Sequence, residues 1–253
     1  MRPPASAKNG ARFHVPDRLG PGAVIDLPEA SGHHATRVLR LGVGDPVILF
    51  DGHGGEHDAV LVRMHRNQVS ARVTGFRDVE RESPLAVTLA QGISSGDRMD
   101  LTLRKAVELG VHTIVPLTTE RSVVKLRDER ADRRRQHWQA LVIAACEQCG
   151  RNAVPSVEEP VDYRTWLATL PLDSGDQTRI ALAVGGERQL ATLPKPSGEV
   201  LLLVGPEGGL NPEESALAVT RGFAPVRMGP RILRTETAAL VALSAMQTLW
   251  GDL

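Results

Sequence analysis

Leu201-Leu202-Leu203-Val204-Gly205-Pro206-Glu207-Gly208-Gly209-Leu210-Asn211-Pro212-Glu213-Glu214 is the stretch that decides the fold class. A run of apolar residues without polar alternation reads as a strand buried on both faces, as in a parallel sheet covered by helices. Three glycines follow, and then a helix start: Asn211 as N-cap, Pro212 at N1 and Glu214 at N3 make a capping box. Open parallel sheets bind ligands at the carboxyl ends of their strands. Glycine there lets the backbone approach a ligand with no Cβ in the way. The pattern is neither GxGxxG nor GxxxxGK[ST], and Glu207 disfavours a phosphate, so a cationic or neutral nucleotide-like ligand fits better. The same spacing also fits an ordinary strand-to-helix turn.

Towards the C-terminus, a short strand at Val226–Met228 leads into Gly229-Pro230-Arg231-Ile232-Leu233-Arg234-Thr235-Glu236, with Thr235 placed to cap a last helix to Leu249. Towards the N-terminus, strands are expected at Leu85–Ala90, Val111–Pro116 and Ile180–Val184. A helix over Asp97–Leu109 has Asp97 as N-cap and Gly110 as its stop. Trp138, Leu141, Val142, Ala145, Cys146 and Cys149 form one apolar helical stripe ending at Gly150. Alternating strands and helices imply an α/β domain over 83–253. Residues 1–82 differ: short β segments at Ala23–Leu27, Pro46–Phe50, Ala59–Val62 and Val69–Val73, one short helix at His33–Leu41, and glycine turns suggest a small β-barrel. The charged stretch Asp78–Pro84 is the linker.

Composition bounds the rest. In 253 residues, 30 basic side chains cancel 30 acidic ones, so a nucleic-acid partner would need a local basic face. Positions 121–135 offer one, with seven cations (Arg121, Lys125, Arg127, Arg130, Arg133, Arg134, Arg135) against three acids, and the short helix adds Arg37 and Arg40. A solvated helix face gives the same pattern. Arg151 lies four residues after Glu147, a spacing that also suits a surface bridge. Two cysteines fit a reducing compartment. Cys146 and Cys149 sit at a helix C-terminal end, where the dipole does not activate thiols, so redox and zinc roles are disfavoured. His53-Gly54-Gly55-Glu56-His57 spells HxxEH, but its glycines favour a hairpin turn over the helix a zinc protease needs. No apolar stretch reaches the roughly 18 residues of a membrane span, and no signal peptide is evident, so a cytoplasmic protein is expected.

HHATRVLRLGVGD, RESP, QGISSGDRMDLTLRKAVELGV, ERSVVK, HWQALVIAACEQCGRN, LLLVGPEGGLNPEE and MGPRILRTETAAL resemble, in this order over nearly the whole chain, the RsmE-type methyltransferases that modify small-subunit ribosomal RNA at a uridine N3. The resemblance implies a PUA-like RNA-binding β-barrel followed by a SPOUT domain, an α/β fold with a mostly parallel sheet and a C-terminal trefoil knot. It further implies S-adenosyl-L-methionine in the knot, a homodimer, and 16S ribosomal RNA or the small ribosomal subunit as partner, with no metal and no membrane. Carried over, Val204, Gly205, Pro206, Glu207, Gly208 and Gly209 match one knot loop, and Leu233, Arg234, Thr235 and Ala238 fall in the other. Backbone groups of Leu203, Gly205, Met228, Ile232 and Leu233 would hold the adenine, with Gly229 in the same turn and Glu207 near the sulfonium. The family usually has Leu where Met228 stands, a change that keeps an apolar wall. ERSVVK places Arg121 and Lys125 near the RNA.

Uridine N3 carries a proton, so methyl transfer needs a base, or a cation at the developing oxyanion. Arg12, Glu147, Arg151 and Glu236 are the candidates. A catalytically silent RNA-binding assembly factor on the same fold is the alternative, and calorimetry with S-adenosylmethionine separates the two. A dehydrogenase is disfavoured by the missing GxGxxG.

Overall fold

Short strands punctuated by glycine build the N-terminal unit of the computed structural model, which describes residues 10–65, 68–122, 129–173 and 175–253. Its elements are β1 (Ala11–His14), β2 (Val24–Asp26), α1 (Glu29–His33), β3 (Pro46–Phe50), β4 (Glu56–His65) and β5 (Gln68–Arg77). The strands pair in the order β1-β3-β4-β5-β2, antiparallel except for β1 on β3. Alternate residues such as Ala59 and Leu61 point inward and meet Phe13, Leu49, Ala71 and Val73 in the core. Gly52, Gly54 and Gly55 take φ of 90°, 100° and 67°, so HxxEH is a turn entering β4. Among the described residues no group of His, Cys, Asp and Glu could hold a metal.

The helix expected at His33–Leu41 is displaced. An α-turn starts earlier, after Pro28, and continues as a π-turn over His34–Val38. Within it the Thr36 hydroxyl donates back to the carbonyls of Gly32 and His33, at 3.0 and 3.2 Å, a bonding that disturbs regular helix. Arg40 then takes φ of 53°.

In the second unit the elements are β6 (Val87–Gly92), α2 (Gly96–Glu108), β7 (Thr113–Thr118), α3 (Glu129–Cys149), β8 (Ser156–Val157), β9 (Val161–Asp162), α4 (Tyr163–Thr169), β10 (Thr178–Leu182), β11 (Arg188–Gln189), β12 (Val200–Val204), α5 (Pro212–Thr220), β13 (Ala224–Arg227) and α6 (Thr235–Trp250). The strand order β11-β13-β10-β12-β6-β7-β8 is parallel throughout, with β9 also parallel to β7. Every residue of β6 and β12 is buried, as their apolar runs require for strands covered on both faces. Trp166, Leu167 and Phe223 pack with Leu117, Leu201 and Leu203 in one core cluster, and α2 packs on α6. The capping box forms as expected: Asn211 Oδ1 accepts from the Glu214 amide at 2.7 Å, and Glu214 Oε2 accepts from the Asn211 amide at 2.9 Å. No helix among the described residues is long and apolar enough to cross a membrane.

The division differs from a single cut after residue 82. The first unit comprises Met1–Glu82 and Cys146–Val154, and the second Ser83–Ala145 and Pro155–Leu253. The loop after α3 needs partners for its backbone and finds them in the first unit. Asn152 Nδ2 donates to the Val79 carbonyl at 2.9 Å, Arg81 to the Gly150 carbonyl at 3.1 Å, and Ala153 bridges to Gly52 and His53. Cys146 is buried beside this loop, and burial pushes its thiol up to about 12. Iodoacetamide at pH 8 is therefore expected to leave Cys146 unmodified in the folded protein, as peptide mass mapping would read.

Candidate active site

A cleft of about 450 Å³ opens at the carboxyl ends of β10, β12 and β13. Residues 204–210 at the end of β12 form one side, and residues 226–233 at the end of β13, with Thr235 and Ala238, form the other. Of the expected cofactor residues, Val204, Gly205, Pro206, Glu207, Gly208, Gly209, Met228, Gly229, Ile232, Leu233, Thr235 and Ala238 line it. Leu203 and Arg234 do not: the Leu203 side chain is buried in the core, and Arg234 is exposed. Sequence reasoning missed Leu182, the last residue of the neighbouring strand β10, and Ala183 and Val184, which follow it. The rule that ligands sit where parallel strands end could have found them.

The two loops are tied together. Thr235 does not cap α6 with its side chain; Arg234 is the N-cap residue. The Thr235 hydroxyl donates to the Gly205 carbonyl at 2.6 Å and accepts from Gln91 Nε2 at 3.0 Å. Thr235→Val would leave buried polar groups unpaired, at a cost of about 1–3 kcal/mol, and is expected to weaken cofactor binding together with thermal stability. Gly205 has no room for a side chain, since a Cβ would lie 2.9 Å from the Leu210 nitrogen. At the loop tip, Glu207 Oε1 accepts from Ser95 N and Ser95 Oγ, both at 2.8 Å, and from Arg98 Nη1 at 3.1 Å. Burial pushes this carboxyl up, but these donors outweigh it and hold it below the usual range. Helix α2 accordingly begins at Gly96 after Ser95, with Asp97 inside the first turn and not at the cap.

The four catalytic candidates are divided between the two units. Arg12, Glu147 and Arg151 belong to the first unit, whereas Glu236 is in the first turn of α6. Arg12 pairs with Glu56 and with Asn152 Oδ1, and it makes a long 3.5 Å contact to the Arg151 carbonyl. Glu56, which sequence reasoning missed as a site residue, has no solvent exposure and also pairs with Arg77 at 3.0 Å and Arg81 at 3.1 Å. Arg151 pairs with Glu82, Nε to Oε1 at 2.9 Å. Glu147 accepts the His14 amide at 3.0 Å, and its burial raises its pKa against that bond and against His34, Ser31 and Arg12. Arg37 and Arg40 are exposed in the first unit. Arg121 is exposed too, but its Nη1 donates to the Gly208 carbonyl at 3.0 Å, beside the cleft. Lys125 lies outside the described residues.

The model of the RNA methyltransferase domain matches residues 81–247, and that of the RNA methyltransferase PUA domain matches residues 27–74. The Ribosomal RNA small subunit methyltransferase E of Bacillus subtilis is 34% identical over 232 residues, 87% of this chain and 90% of the relative. The chain belongs to the ribosomal RNA small subunit methyltransferase E family. The fold agrees with solved members of that kind. A methyltransferase E from Neisseria gonorrhoeae, crystallised with S-adenosyl methionine, is 43% identical with a TM-score of 0.89, covering 96% of this chain and 99% of that one. A putative methyltransferase from Legionella pneumophila, solved with the cofactor SAM bound, is 38% identical with a TM-score of 0.91, at the same coverage. The chain thus carries an α/β RNA methyltransferase domain of the SPOUT fold behind an N-terminal PUA domain.

Proposed function

We propose that this chain transfers the methyl group of S-adenosylmethionine to N3 of a uridine in small-subunit (16S) ribosomal RNA. The observation that carries the reading is the single cleft built from both glycine-bearing loops in a member of this family. S-adenosylmethionine, when bound, supplies a methyl group already activated by its positive sulfur. The residues present fit such a group. Val184 and Ile232 are apolar and 69% and 81% exposed at the rim, Met228 adds an apolar wall, and Glu207 is the acid among the lining residues. With no Cβ at the glycines, the adenine can approach the loop backbone closely.

The N3 proton requires an acceptor. Arg12 and Arg151 are already neutralised by Glu56 and Glu82, so their part is to stabilise and position. Proton acceptance falls to a carboxylate: Glu147, whose burial raises its pKa above the ordinary carboxylate value, or Glu236, whose buried Oε2 has no hydrogen-bond partner among the described residues. RNA phosphates would meet Arg37, Arg40, Arg121 and Lys125, with exposed Arg227, Arg231 and Arg234 around the cleft. In this reading the barrel of residues 1–82 grips RNA, and residues 83–253 do the chemistry in the cytoplasm. A trefoil knot is supported by the return of the chain from β13, outside β10, to Thr235 against Gly205 and Gln91. A homodimer is supported by apolar Val241 and Leu249 left 40% and 46% exposed on α6.

Mass mapping of ribosomal RNA from a deletion strain tests the reading. One uridine should lack an N3 methyl group and regain it on treatment with the purified protein and S-adenosylmethionine. Identical modification in both strains, or methylation at another atom, would overturn it.

A further inference from the structure

Two arginines grip adjacent residues of the cofactor loop. Arg98, in the first turn of α2, donates Nη1 to Glu207 Oε1 at 3.1 Å, and Arg121, just after β7, donates Nη1 to the Gly208 carbonyl at 3.0 Å. The stem of Arg121 also lies over Gly208, where a Cβ would come 3.1 Å from the Arg121 Cβ. Each guanidinium carries five N–H donors and commits one nitrogen to the loop; Arg98 adds a long 3.5 Å contact from the same nitrogen to Ser95 Oγ. The other edges face outward: the Arg98 side chain is 43% exposed, and Arg121 is exposed. Among the described residues, Glu207 is the one carboxylate within bonding distance of either guanidinium. Asp97 is exposed next to Arg98 in sequence, and the Glu120 carboxylate is engaged by Asn211 Nδ2.

We propose that Arg98 and Arg121 form a phosphodiester-binding rim on the cofactor loop, through which RNA binding and donor binding strengthen each other. The inference rests on the proposed function, because it takes the loop to hold the methyl donor and the substrate to be RNA. Its sign follows from the geometry. A phosphate can take the outward N–H groups without displacing the inward ones, so it immobilises both arginines while they still hold Glu207 and Gly208. The entropy of ordering the loop is then lost once, and the second ligand binds to a loop already in place. Reciprocity requires the donor to raise RNA affinity by the same factor.

Calorimetry on the full chain tests this with S-adenosylhomocysteine, which cannot react, titrated with and without unmodified small-subunit ribosomal RNA. The unaltered protein should bind the ligand roughly fivefold or more tightly when RNA is present. In Arg98→Gln and Arg121→Gln, which keep hydrogen-bonding side chains and are exposed enough to fold, the factor should fall towards one. Each variant should also lower the salt slope of RNA binding by about 1. Independent binding of the two ligands to the unaltered protein, or an undiminished factor in both variants, overturns the rim while leaving the methyltransferase reading intact. A protein that binds neither ligand takes down the proposed function and the rim with it.

Discussion

Replacing Glu56 by leucine is expected to lower the unfolding free energy of the first unit by about 3–5 kcal/mol, the range for breaking a buried ion pair by removing one partner. Glu56 receives three guanidinium groups, and exposure decides which of them matters. Arg77 and Arg81 are 43% and 39% exposed, so each can turn back to water, and pairs of that kind are worth at most about 1 kcal/mol. Arg12 is 9% exposed, packs over the Phe50 ring and cannot follow. Without Glu56 its charge stays buried with only Asn152 and a carbonyl for company. Urea unfolding at pH 7 would measure the loss, and a change below about 1 kcal/mol would show that Arg12 is not dependent on Glu56.

The same residue makes the fold sensitive to acid. Burial pushes the Glu56 carboxyl up, but hydrogen bonds from Arg12 and Arg81 outweigh it, and the folded pKa lies below the ordinary 4.5. A depressed carboxylate stabilises fully above its unfolded pKa and loses that contribution as the pH falls through the folded value. The unaltered protein should therefore lose stability below about pH 4.5 more steeply than Glu56→Gln, which has no such proton to bind.

Glu56 also marks where the sequence stops being legible. Strands β6, β12 and the capping box at Asn211 are local patterns, so the parallel sheet and the carboxyl-end loops could be read residue by residue. The glycines after the buried strand point to the strand ends for the same local reason, while their spacing equally fits an ordinary strand-to-helix turn. What decides the first unit is not local. Strand β1 is four residues long with polar Arg12 and His14 in it, and it exists because it pairs in parallel with β3, more than thirty positions away. The docking of Cys146–Val154 depends on Arg12, Val79 and Arg81, none of which announces a partner. Helix α4 is different. Its Asp162 cap, accepting from the Thr165 amide at 2.9 Å, is a local signal carried by D-Y-R-T. Thr235 reads as a helix start, but its hydroxyl serves a tertiary tie that no helix rule contains.

Gly92→Ala is expected to weaken binding of the methyl donor by at least tenfold, although Gly92 does not line the cleft. Its backbone is not in the left-handed region, so a side chain would be tolerated on conformational grounds. The obstacle is space. A Cβ at the end of β6 would lie 2.5 Å from the Pro206 nitrogen, 2.6 Å from its Cδ and 2.9 Å from the Gly205 carbonyl carbon. These are backbone or ring atoms and cannot rotate away, so the start of the cofactor loop must move, at an overpacking cost of about 1–3 kcal/mol or more. Any shift of Gly205 also strains its bond to Thr235, which joins the two sides of the cleft. Gly208→Ala provides the comparison: its Cβ would lie 3.1 Å from the Arg121 Cβ and 3.4 Å from its Cδ, a contact that a shift of a few tenths of an ångström relieves. Calorimetry with S-adenosylhomocysteine should therefore separate a large loss in Gly92→Ala from a small one in Gly208→Ala. Equal affinities in the two variants would mean that Gly92 does not hold the loop in position.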